Sequence, residues 1–179
     1  MNSLDSNYFC AKFKHPNAVE EILTIVPFSD QYGKAFRELN EEWIKAYFQM
    51  EEMDKKALHH PKEYILDKGG YIAVALLNGA PVGVCALIPS QDPNYQFELA
   101  KMGVSPKVQG KGIGKKLGEH ILAKAKSMGA QKVFLESNRK LVPALKLYEK
   151  LGFVEIKGKA SPYARSDIQM EITLLAQGK

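Results

Sequence analysis

The run Met102-Gly103-Val104-Ser105-Pro106-Lys107-Val108-Gln109-Gly110-Lys111-Gly112-Ile113-Gly114 constrains this chain more than any other part of it. An extended apolar stretch breaks at Pro106 and passes through alternating glycines into an amphipathic helix, with Ile113, Leu117, Ile121, Ala125 and Met128 on one face. Glycines at 110, 112 and 114 let backbone N–H groups approach a ligand without Cβ hindrance. The first helical turn adds unpaired donors and the positive end of the helix dipole, so the layout suits an anionic ligand. It is not a P-loop, because the position five after Gly110 holds Lys115 and the next holds Lys116, with no hydroxyl for a magnesium ion. The dinucleotide fingerprint would need a third glycine where Lys115 stands, and Glu136 as a ribose partner cannot replace it.

What remains is Gln-x-x-Gly-x-Gly, read as Gln109, Gly112 and Gly114 after a strand ending at Val104. It resembles the acetyl-CoA signature of the GCN5-related N-acetyltransferases (GNAT). Downstream, Pro143-Ala144-Leu145-Lys146-Leu147-Tyr148-Glu149-Lys150-Leu151-Gly152-Phe153 is an apolar-periodic helix with a glycine stop, and it resembles that family's tyrosine helix. The strand Lys132 to Asn138 lies between the two, and the resemblance extends from about Ile22 to Leu175. It implies an α/β (α+β) GNAT fold, a mixed and mostly antiparallel sheet of six to seven strands with helices on both faces. It also implies acetyl-CoA as cofactor and direct acetyl transfer, through a tetrahedral intermediate, to the primary amine of a small molecule or peptide. The alternative is a non-catalytic acyl-CoA-binding sensor or interaction module.

The rest of the chain reads in the same order. Residues 1–18 form an N-terminal extension, and 19–179 a single N-acetyltransferase domain. Ile22 to Val26 is a strand, and Phe36, Leu39, Trp43, Ile44, Tyr47 and Phe48 recur at helical spacing. A second short helix runs to about Leu66. Asn78-Gly79 marks a two-residue hairpin between Tyr71–Leu77 and Pro81–Ile88. Strand Phe97–Val104, helix Ile113–Met128, strand Lys132–Glu136, helix Leu141–Lys150 and strands Phe153–Lys157 and Ile168–Leu174 complete the order β-α-α-β-β-β-α-β-α-β-β.

Acetyl transfer needs a neutral amine, a polarised carbonyl and a proton for the departing thiolate. A free alkyl amine titrates near ~10, so a base must take its proton. Glu98, at the start of the strand leading to the glycine turn, resembles in its spacing the glutamate of the family's histone-acetyltransferase branch, which implies a general base. Regular alternation puts Glu98, Ala100, Met102 and Val104 on one face, while Gly103 suggests a bulge. The resemblance implies that backbone at Met102, Gly103 and Val104 meets the pantetheine arm, polarising the thioester carbonyl. It assigns Gln109, Gly110, Lys111, Gly112, Ile113, Gly114 and Lys115 to the pyrophosphate, Asn138 and Ala144 to further coenzyme contacts, and Tyr148 to the general acid. Arg139 to Pro143 lengthens the Asn138-to-Tyr148 interval beyond the usual pattern. For the acceptor, Glu41, Glu42, Trp43, Tyr47, Glu51, Glu52 and Asp54 offer carboxylates and aromatic faces to a cationic amine. The segment Ser161 to Asp167 is placed to close over the site, with Arg165 for an acceptor carboxylate.

Composition excludes several classes. At 179 residues with 45% apolar content the chain can bury one core, and its longest apolar runs are too short to span a bilayer. The first fifteen residues lack an apolar signal region, so a cytoplasmic location is expected, without a membrane partner. A net charge of +5 comes from scattered lysines without aromatic interleaving, which argues against nucleic acid. The denser set Lys107, Lys111, Lys115 and Lys116 reads as a solvated face or as a screen for coenzyme phosphates. Cys10 and Cys85 have neither disulfide nor metal spacing, and His59-His60 has no ligand partner in sequence, so no metal is expected. A homodimer is left open.

Overall fold

The computed structural model describes residues 9–13, 21–157, 161 and 163–174. Their centre is an eight-stranded sheet: β1 (Phe9–Phe13), β2 (Glu21–Pro27), β3 (Tyr71–Leu77), β4 (Ala80–Pro89), β5 (Phe97–Val104), β6 (Lys132–Ser137), β7 (Val154–Ile156) and β8 (Ile168–Thr173). The spatial order is β1-β2-β3-β4-β5-β6-β8-β7, with only the β5–β6 pair parallel. From β2 onward the element order is the expected one. The sheet exceeds the expected six to seven strands because Phe9–Phe13, counted with the N-terminal extension, pairs along β2 from Phe9↔Ile25 to Phe13↔Glu21.

Period-two alternation of apolar residues divides the core between the two faces. From β3, Tyr71, Ala73, Ala75 and Leu77 join a cluster with Ile113, Leu117 and Ile121 of α3 (Ile113–Ser127) and Tyr148 of α4 (Val142–Leu151). Its neighbours Ile72 and Val74 join Phe36 and Ile44 of α1 (Gly33–Tyr47) and Leu58 of α2 (Glu52–His59) on the opposite face. Pro61 separates α2 from a single wide turn at Lys62–Leu66, so the second helix is shorter than the sequence suggested. The Asn78-Gly79 hairpin forms as expected, both residues taking positive φ (51° and 82°).

β5 carries the irregularity that matters for the site. Cys85 of β4 faces two residues, Lys101 and Met102, because the register runs Val84↔Gly103 and then Ala86↔Ala100. The bulge is therefore at Lys101, in left-handed backbone at φ 50°, not at Gly103 as the sequence suggested. It changes the strand's parity. Phe97 and Leu99 pack in the α3–α4 cluster before it, and Met102 and Val104 pack there after it. Glu98 and Ala100 consequently face the α1–α2 side, so the four residues expected on one face are divided between two. Gly103 has a different role. A Cβ there would stand 2.7 Å from the Leu39 carbonyl oxygen and 3.3 Å from Trp43 Cδ1, so the missing side chain lets α1 lie against β5. Gly103→Ala is expected to destabilise the fold by about 1–3 kcal/mol, as overpacking does. A melting curve should show Tm lowered by roughly 2–12 °C.

Candidate active site

The parallel pair β5–β6 is joined only at Phe97↔Val133 and Glu98↔Phe134. Beyond Glu98 the strands part, and β5 from Leu99 to Val104 has no strand partner on its β6 side. A cleft of about 720 Å³ opens there, lined by β5 from Glu98 onward, the glycine turn, Glu136 to Asn138, Tyr148, Tyr163 and Arg165. Thus a gap in the sheet, adjoining the glycine turn, brings most of the sequence-predicted site together.

The glycine turn is built to leave donors free. Ser105 N–H donates to Val82 O at 2.8 Å, and Pro106–Val108 makes one tight turn. Gly110 and Gly112 then take φ 84° and 73°, conformations in which L side chains are strained, and a Cβ at either would meet nothing within 4 Å. The first bond of α3 is Lys116 N–H to Gly112 O at 3.1 Å. The N–H groups of Ile113, Gly114 and Lys115 therefore have no helical acceptor. Gly114 has a packing role as well, since a Cβ there would lie 3.2 Å from Leu147 of α4. The lysines are less available than expected. Lys111 donates to Glu21 at 2.5 Å and does not line the cleft, and Lys115, which does, sits 3.6 Å from Glu119.

Glu98 lines the cleft from the α1–α2 side. Burial pushes its carboxyl up to about 7; the carboxylate of Glu136 adds to the rise and Lys101 opposes it. Glu136 accepts from Gln169 Nε2 at 2.7 Å and from the Ser161 hydroxyl. Tyr148 lines the cleft from the opposite, α4 side, 9% exposed, with its ring edge-on to Phe153 at 6.1 Å. Burial raises its pKa, with Cys85 contributing, so the phenol stays protonated at neutral pH. Among the described residues its hydroxyl has no hydrogen-bond partner.

Ala144 and Asn138 also line the cleft, but the Asn138 side chain already has local partners. Its Nδ2 donates to Arg165 O at 2.6 Å and its Oδ1 accepts from Lys140 N–H at 2.9 Å, a turn that accommodates the longer interval before Tyr148. Cys10 is exposed and Cys85 buried. No group of metal-binding residues occurs among the described residues, and none of their helices is long and apolar enough to cross a membrane.

Of the charged groups proposed for the acceptor, Asp54, Glu51 and Arg165 pair with one another instead, while Glu41 binds Lys45 and Glu52 lies near Lys55 on their own helices. Asp54, fully buried, caps its own helix by accepting Glu51 N–H, receives two bonds from the Arg165 guanidinium at 2.6 and 2.8 Å, and accepts Lys101 Nζ at 2.8 Å. Burial works against its charge, but Arg165 and Lys101 prevail and hold its pKa below the ordinary value. Arg165 also binds Glu51 at 3.0 Å. The described residues of the 161–167 segment are thus tied to α2, with neither Arg165 nor Asp54 left free for an acceptor. Sequence reasoning missed Lys101 and Tyr163. The available signal was a lysine inside an otherwise apolar strand, at a position where a charge is rarely buried without a partner.

This sheet, with its gap beside a glycine turn, can be set beside known proteins. The family described as Acetyltransferase (GNAT) family matches residues 34–153. The chain belongs to that family. Among curated relatives of this GNAT chain, N-acetylaspartate synthetase of Rattus norvegicus is 38% identical over 90 residues, covering 50% of this chain and 30% of that protein. The uncharacterized N-acetyltransferase YjgM of Escherichia coli K12 is 34% identical over 94 residues, covering 52% of this chain and 49% of that protein. The match spans less than two thirds of either relative. A GNAT-family acetyltransferase structure from Staphylococcus aureus Mu50 has a TM-score of 0.76 at 23% identity, covering 86% of this chain and 99% of that one. The yncA structure from Salmonella typhimurium, described with its cofactor acetyl-CoA, has a TM-score of 0.66 at 18% identity, covering 88% and 96%. At these identities the structures bear on the GNAT fold alone.

Proposed function

We propose that this protein is an acetyl-CoA-dependent N-acetyltransferase that passes the acetyl group directly to a primary amine through a tetrahedral intermediate. The observation that carries the reading is the β5–β6 gap, with half-buried Glu98 and buried Tyr148 lining it from opposite faces of the sheet. The glycine turn fits a coenzyme pyrophosphate because its open Gly110 and Gly112 positions stand beside the unpaired N–H groups of Ile113, Gly114 and Lys115. When bound, acetyl-CoA supplies the activated acyl group. Glu98, poised near 7, takes the amine proton directly or through a water. The gap-facing edge of β5 at Met102 to Val104 offers backbone N–H groups to the carbonyl, and Tyr148, held protonated, donates to the leaving sulfur.

Charge bears on the acceptor. On the α2 side Lys101 and Arg165 are matched by Asp54 and Glu51, while among the described residues no cation lies within ion-pair distance of Glu98 or Glu136. A cationic amine on a neutral body therefore fits better than the dicarboxylic amino acid implied by the relative's name, N-acetylaspartate synthetase. The test is release of free coenzyme A from acetyl-CoA across a panel of alkyl and aryl amines, diamines, amino acids including aspartate, and short peptides. Turnover of a cationic amine is expected. Preference for aspartate would overturn the acceptor assignment, and tight acetyl-CoA binding with no turnover of any amine would favour the sensor reading.

Tyr148→Phe should leave Tm nearly unchanged, since the ring stays packed on Phe153, while kcat with a working amine falls. A thiol with an ordinary pKa near ~8.5 is already a fair leaving group. The expected loss is therefore about 10²-fold, the low end for general acid catalysis.

A further inference from the structure

We propose that Lys101 is a positioning residue for acetyl transfer, its ammonium pinning the β5 bulge to α2 and to Tyr163 so that Glu98 is held at the acceptor side of the gap. The inference rests on the N-acetyltransferase reading. Lys101 is 7% exposed, and its Nζ lies 2.8 Å from Asp54 Oδ1 and 3.0 Å from the Tyr163 hydroxyl, over whose ring it sits at 4.8 Å. Burial works against the charge, yet Tyr163 and Asp54 more than offset it and raise its pKa above the ordinary lysine value.

A lysine is a poor choice for this backbone. At φ 50° a β-carbon is strained, a cost that glycine would avoid. The side chain must therefore contribute something that the bare bulge does not. What it contributes is a joint between three elements. Asp54 brings α2, Arg165 binds the same carboxylate from the segment before β8 and stacks on Tyr163 at 4.6 Å, and Asn138 at the end of β6 holds the Arg165 carbonyl. Both walls of the gap thus meet at one buried carboxylate, through a residue three positions along the strand from Glu98. The charged and titratable groups facing Glu98 are Glu136 from β6, Lys101 from its own strand and Tyr163 from the segment before β8, with Asp54 of α2 behind Lys101. Lys101 is the cation of that set nearest to Glu98 in charge effect, and it holds the carboxyl down against Glu136.

The test compares Lys101→Met and Lys101→Gly with the parent. Asp54 keeps its two bonds from Arg165 in either variant, so no buried carboxylate is left unpaired, and glycine suits the positive φ. The readouts are acetyl-CoA affinity by calorimetry, and kcat and KM over a pH series with an amine that the parent turns over. Expected are parent-like acetyl-CoA affinity, kcat lowered about tenfold or more in both variants, and the acidic limb of kcat/KM moved upward by about one pH unit as Glu98 loses its nearby cation. A folded Lys101→Gly with parent-like kcat and an unmoved limb would overturn the proposal, whatever Lys101→Met does. If kcat fell without a shift of the limb, Lys101 would be a packing residue only, which also overturns it. A parent that binds acetyl-CoA but acetylates no amine fails at an earlier point, sinking the N-acetyltransferase reading and this inference with it.

Discussion

Gly112→Val should abolish useful acetyl-CoA binding, lowering affinity by about 10²–10⁴-fold. Two features of Gly112 lead to that expectation. It is the N-cap of α3 in left-handed backbone, φ 73°, which a β-branched residue adopts only under strain. The space around its virtual Cβ is open, and a side chain added there is expected to take up room beside the first-turn N–H groups that a phosphate would need. Displacing a phosphate from two such donors forfeits about 1.5–3 kcal/mol each, and each 1.4 kcal/mol is about tenfold in affinity. Calorimetric titration with acetyl-CoA, beside a melting curve, measures both consequences. Undiminished binding in a folded variant would end the assignment of the glycine turn to the coenzyme.

Glu98→Gln should yield a protein that is less active and more stable. At pH 7.5 kcat/KM is expected to fall by about 10²–10⁴-fold, the range for loss of a general base, while acetyl-CoA affinity holds. The parent's kcat/KM should rise with pH through about 7, as the raised Glu98 carboxyl ionises, and the variant should lack that limb. It should retain only the increase that comes from the amine itself, with a pKa near ~10, so the two profiles converge at high pH. The stability effect follows from linkage. A carboxyl whose folded pKa is raised from 4.5 to about 7 binds its proton more tightly when folded. The parent therefore loses stability as pH climbs between those values, and the loss persists above them. The neutral amide is exempt, so the variant's Tm should exceed the parent's at pH 8, with the difference closing as pH falls toward 4.5. A parent-like pH–rate profile in the variant would place the base elsewhere, on a water held by backbone.

Much of this was legible from local signals. The Asn78-Gly79 hairpin, the glycine stops after α3 and α4 and the period of the helices are written in consecutive residues, and the elements form where those residues predict them. The glycine turn, Glu98 and Tyr148 could be placed because a motif fixes their spacing, and the fold brings them to one cleft. What escaped depends on partners distant in sequence. Lys101 bonds to Asp54 across 47 residues and to Tyr163 across 62, and no periodicity encodes either contact. The bulge was assigned to Gly103 because glycine is the usual occupant of unusual backbone. Here the glycine makes room for a helix while a lysine, held by its charge, takes the left-handed position. Arg165 looked available to a substrate for the same reason, since nothing near it in sequence hints that α2 supplies its partners.

The parity change in β5 has a consequence for how this strand can vary in length. Glu98 faces one side of the sheet and Met102 the other because there is one residue more between them than a regular ladder would accept. Exchanging a side chain within the strand alters one wall of the cleft by degrees. Deleting the bulged residue Lys101 would restore the ladder and leave Met102 and Val104 toward the α3–α4 core and Gly103 beneath α1, whereas straightening the strand with every residue kept would turn each later side chain over. Changes of residue type in this strand should thus be graded in effect, whereas loss of the bulge without loss of a residue would be all or none.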